Sequence, residues 1–85
     1  MRRVRVLVAE RCHLCDAALE VIERVRAETV FDLEIVDITG DPELEHRYRG
    51  EIPVIEIDGE RAFTYFVQAG ELRRRISEEG TGSRA

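Results

Sequence analysis

The chain has 85 residues, enough for one small domain and too few for a second. At 44% hydrophobic and 36% charged it can build a modest core inside a solvated surface, which argues against disorder over most of its length. A formal net charge of −5 speaks against nucleic acid as a partner, because phosphate binding rests on clustered Lys and Arg.

"VRVLVA" (Val4 to Ala9) is apolar at both alternating sets of positions and reads as a central strand buried on both faces. A helix is expected at once after it. Leu14, Ala17, Ala18, Val21, Ile22 and Val25 recur at helical spacing on one side, and Glu20, Glu23, Arg24 and Arg26 fall on the other. "LEIVDI" (Leu33 to Ile38) is a second strand. A turn and a short helix follow, with Pro42 at its first position and Gly50 as its stop. Val54 to Ile57 and Ala62 to Phe66 form a hairpin around Asp58-Gly59, a favoured two-residue turn. Gln68 to Ser77 is again helical. Residues 1–79 are expected to form the domain and residues 80–85 a polar tail.

The βαβ start implies a right-handed crossover between parallel strands, and the hairpin adds antiparallel ones. The expected fold class is α/β, with the order β-α-β-α-β-β-α: a four-stranded mixed sheet with helices on both faces. No apolar run approaches the ~20 residues that cross a bilayer, and the opening "MRRVRVLVAE" is too broken for a signal segment. A cytoplasmic protein without membrane contact is expected.

Cys12 and Cys15 are the chain's two cysteines, and they sit where the first strand gives way to the first helix. Unpaired N–H groups and the helix dipole make that end partly positive, so a thiolate at Cys12 is stabilised and its pKa should fall below the ~8.5 of a free thiol. Arg11 and His13 are candidate tuning charges beside it. Cys15, one turn on, tends toward the apolar stripe. This division suits dithiol exchange, with Cys12 attacking a disulfide and Cys15 resolving the mixed disulfide. CxxC is also half of a zinc site, but His13 and His46 are the only histidines, and neither completes a four-ligand set convincingly. A metal or iron–sulfur cluster shared between two subunits stays open, as does a pair of small buried side chains.

"EIPV" (Glu51 to Val54) is the second signal, since Pro53 precedes a β-prone run and cannot be an interior ladder donor. With "RCHLC" after the first strand, "EIPV" before the hairpin and the element order over residues 3–78, the chain resembles the glutaredoxin-like branch of the thioredoxin superfamily. More narrowly, it resembles the small bacterial glutaredoxin-like proteins. The resemblance implies a thioredoxin-like fold, a cis Pro53 opposite the cysteines, and an Ile52 backbone that docks an extended substrate.

Two departures stand out. His13-Leu14 replaces the family's Pro-aromatic pair between the cysteines. Bulky Tyr65 and Phe66 stand where small residues help to hold glutathione. No cofactor is expected, and glutathione as reductant is left open by that substitution. The expected partners are protein or small-molecule thiols and disulfides, and the expected state is a monomer. Three functions follow: a thiol–disulfide oxidoreductase, a metal- or cluster-binding module, and a non-catalytic adaptor that uses the groove near Pro53.

Overall fold

Alternation along the first strand decides what each side of the sheet has to bury. In β1 (Arg3–Val8), Val4, Val6 and Val8 point one way and Arg3, Arg5 and Leu7 the other. The computed structural model describes residues 2–48 and 50–77, so the tail expected at 80–85 lies outside the described residues. The remaining elements are α1 (His13–Arg26), β2 (Asp32–Asp37), α2 (Pro42–Tyr48), β3 (Val54–Ile57), β4 (Glu60–Thr64) and α3 (Ala69–Ser77).

The strands lie in the order β2-β1-β3-β4. β1 pairs parallel with β2 and antiparallel with β3, and β3 pairs antiparallel with β4. This is the expected mixed sheet. Val4, Val6 and Val8 join Ile55 and Ile57 of β3 in the main core, together with Ile22 and Val25 of α1 and Leu72 and Ile76 of α3. On the opposite face Leu7 and Val54 pack with Ile38 and Tyr48, and Leu44 of α2 lies against them. Helices therefore cover both faces, two on one side and the short α2 on the other.

Two expectations need correction. β1 is apolar on both faces only near its C-terminal end, because Arg3 and Arg5 occupy the second face at the other end. The return strand spans Glu60–Thr64 instead of Ala62 to Phe66. Asp58 and Gly59 both have positive φ (53° and 87°), so the turn closes in two residues and β4 starts directly at Glu60, opposite Ile57. β4 then stops because Tyr65 turns into the left-handed region, with φ 73°. Tyr65 and Phe66 are consequently loop residues.

Candidate active site

Strand direction brings the chemistry to one end of the sheet. β1 and β3 are antiparallel with Leu7 opposite Val54, so the exit of β1 toward the cysteines lies beside the entry to β3 that carries Pro53. Parallel β2 delivers Ile38 and Thr39 to the same end. The Ile38 N–H donates to the Val8 carbonyl at 2.8 Å, and the Glu10 N–H donates to Thr39 Oγ1 at 3.0 Å. β4 ends there too, with Thr64 opposite Val54.

Cys12 is the N-cap of α1, in extended backbone geometry, and its Sγ accepts the Cys15 N–H at 3.0 Å. One of the helix's otherwise orphaned amides therefore points at the sulfur. Cys12 and Cys15 are joined as a disulfide, with their Cα atoms 5.1 Å apart, within the usual span for such a bridge. The two sulfurs have different surroundings. Cys12 is half-buried at the rim of the main core, whereas Cys15 is 2% exposed and part of it.

The Ile52–Pro53 peptide bond is cis. Pro53 is buried and its carbonyl accepts the Tyr65 N–H at 2.9 Å. Ile52 is half-buried and packs against both core clusters. Among the described residues, its own N–H and C=O have no hydrogen-bond partner. Arg11 and His13 are exposed on either side of Cys12 in the sequence, and neither forms an ion pair among the described residues. His46 sits on α2, across the sheet from α1. Among the described residues, no group of three or more His, Cys, Asp or Glu side chains is arranged to hold a metal ion.

Backbone strain collects at this end. Among the described residues, the non-glycine ones with positive φ are Arg11 (57°), Asp58 and Tyr65 (73°). Asp58 belongs to an Asp-Gly turn that favours such a conformation, but Arg11 and Tyr65 do not, and each costs on the order of 1 kcal/mol. They lie just before the cysteines and just after β4, in the two segments that border the site. Tyr65 is further held by its hydroxyl, which donates to the Gly50 carbonyl at 2.5 Å. With its amide on Pro53 and its hydroxyl on Gly50, this one residue clasps both sides of the Ile52–Pro53 bond.

Sequence reasoning missed that clasp, along with the Thr39 brace on the cysteine loop. Of the α1 stripe, Ala18, Ile22 and Val25 are buried alongside Cys15, but Leu14 is 38% exposed and Ala17 is exposed. No periodicity signal separates the two edges of such a stripe.

A mixed four-stranded sheet between helices on both faces, with a Cys-x-x-Cys pair opening the first helix, is a thioredoxin fold. The chain belongs to the Glutaredoxin-like domain family (DUF836), whose profile matches residues 3–77. It is 27% identical to an uncharacterized protein of Mycobacterium tuberculosis, an alignment that covers 95% of this chain and 89% of that one. Among solved structures, it resembles the X. campestris target protein XcR50, with a TM-score of 0.71 and 28% identity over 87% of this chain and 95% of that chain. Thioredoxin 1 of the thermophilic eubacterium Thermosipho africanus shares the fold at 16% identity, with a TM-score of 0.67 over 98% of this chain and 99% of that one. The glutaredoxin-like fold and the Cys12–Cys15 disulfide fit a redox role. Among the described residues, no helix is long and apolar enough to cross a membrane.

Proposed function

We propose that the protein is a thiol–disulfide oxidoreductase of the cytoplasm, working as a monomer on the disulfides of proteins or small thiols. The observation that carries this reading is the unequal placement of the two sulfurs. Cys12 is reachable and accepts a helix N-terminal amide at 3.0 Å, while Cys15 is buried directly behind it. In the reduced protein the same amide favours the Cys12 thiolate, which is the nucleophilic form.

The Cys12 thiolate attacks one sulfur of a substrate disulfide, forming a mixed disulfide and expelling the other sulfur as a thiolate that takes a proton from solvent. Cys15 loses its proton and attacks the Cys12 Sγ. The intramolecular disulfide forms, and the second substrate thiol leaves. Two electrons have then passed from the protein to the substrate, whose two thiols carry one proton from solvent and the one that Cys15 released. An external thiol donor reverses the exchange at Cys12–Cys15 and is itself oxidised to a disulfide. Arg11 and His13, when charged, favour the thiolate. The N–H and C=O of Ile52, without a partner among the described residues and beside the buried Pro53, suit the backbone of an extended substrate.

Single substitutions test the assignment of roles. Cys12→Ser is expected to abolish reduction of model disulfides, and Cys15→Ser to accumulate a covalent mixed disulfide seen by intact mass. Exchange activity that survives Cys12→Ser contradicts the proposal.

A further inference from the structure

Beside the cysteines, part of the α1 stripe reaches the surface. Leu14, Ala17 and Val21 meet Tyr65, Phe66 and Val67 across a groove of about 70 Å³. Of the five exposed large apolar side chains among the described residues, three line it: Leu14 at 38%, Tyr65 at 40% and Phe66 at 69% exposure. No lining residue is charged, in a chain that is 36% charged. Exposed apolar surface gathered in this way marks a contact site.

The groove's size limits its occupant. Small-molecule pockets start near ~300 Å³, so this one has room for little more than one aliphatic side chain. Its surroundings supply what else such an occupant needs. Cys12 lies two residues before Leu14, and the N–H and C=O of Ile52, without a partner among the described residues, can offer strand-like hydrogen bonds to a passing backbone. Tyr65 joins these parts, since it walls the groove while bonding to Pro53 and Gly50.

We propose that the groove receives an apolar side chain next to the reacting cysteine of an extended protein segment, which makes polypeptide disulfides the substrates and Phe66 a specificity-determining residue. Glutathione carries two carboxylates and no apolar side chain, and the lining residues offer it neither a cation nor a matching surface. The inference rests on the dithiol-exchange reading above and names the substrate class of that site.

The full-length reduced protein is mixed with three probes: a peptide disulfide flanked by leucine, the same peptide flanked by serine, and oxidised glutathione. Released thiols are followed by chromatography to give kcat/KM. The leucine peptide is expected to react about tenfold faster than the other two, the scale of one apolar pocket contact. Phe66→Ser, at an exposed position, is expected to bring the ratio of leucine-peptide to serine-peptide kcat/KM down toward one; Leu14→Ser, between the two cysteines, is read by the same ratio and lowers it more weakly. Equal rates for leucine peptide and oxidised glutathione, or a preference that persists in both variants, overturn the inference while dithiol exchange stands. Self-association by sedimentation that Phe66→Ser abolishes also overturns it, by giving the groove to a second copy. If no probe is reduced by any variant, dithiol exchange itself fails, and the inference falls with it.

Discussion

The second face of the sheet is built in two ways. At the cysteine end Leu7 and Val54 sit opposite one another and are sealed with Ile38 and Tyr48, while Leu44 of α2 closes over them. At the other end Arg3, Arg5, Asp32, Glu34, Glu56 and Asp58 line an open, charged groove of about 520 Å³. The two regions share strands β1 and β3, and the change falls between Arg5 and Leu7. α2 spans only seven residues, and the apolar surface it needs is confined to the end that carries the site. The uncovered end is held by cross-strand charges. Arg5 pairs in register with Glu34 on one side and Glu56 on the other, at 4.0 and 3.6 Å. Burial therefore stiffens the sheet where Pro53 and the cysteine loop depend on it, and screened ion pairs suffice elsewhere.

The sharpest test of that contrast uses neighbouring positions of one strand. Leu7→Ala empties a fully buried site and is expected to cost about 3 kcal/mol in urea denaturation. Arg5→Gln, two residues earlier on the same face, removes two ion pairs and is expected to cost under about 1 kcal/mol. Equal costs would break the comparison. Tyr65→Phe deletes the hydroxyl bond to Gly50 and should cost about 1 kcal/mol, with slower disulfide exchange because the clasp on the proline loop loosens. Unchanged exchange kinetics would confine the clasp to stability.

Asp58→Asn should have the smallest effect, about 0.5 kcal/mol near neutrality after screening by solvent. Asparagine keeps the left-handed turn, so the change removes the charge and one of the two accepting oxygens while leaving the backbone in place. The Arg3 N–H at 3.0 Å, and then the Arg2 guanidinium at 2.6 Å, hold the Asp58 carboxyl below its ordinary 3.8. A carboxylate lowered by folding stabilises the folded state above its unfolded pKa and loses that contribution as pH falls through the folded value. The difference between wild type and variant should therefore be full at neutral pH and vanish in strong acid. A difference that grows on acidification would contradict the assignment.

Much of this was legible in the sequence because period carries it. A short apolar run marked β1, helical spacing marked α1, and Asp58-Gly59 marked the hairpin. The Cys12–Cys15 pair and the "EIPV" segment, both marked in the sequence, lie at the same end of the sheet. What stayed hidden depends on contacts between distant segments. The positive φ of Tyr65 goes with its bonds to Pro53 and Gly50, and a β-prone "FTYF" gives no sign of it. Leu14 looks like a core residue by spacing, yet it sits at the stripe's edge where no element covers it. Ile35 lies in a well-marked strand but is 49% exposed, because β2 is an edge strand, a position that alternation does not encode.

The most direct measurement of the central claim is a redox titration of the Cys12–Cys15 pair in thiol–disulfide buffers, quenched with acid, alkylated and read by mass. The account predicts a single reversible two-electron transition between dithiol and intramolecular disulfide, within the ~−270 to −120 mV range of known exchangers. A pair that stays oxidised below about −300 mV would be a structural bridge. A pair that never closes across that range would be no exchange couple. Either result would contradict the proposed function.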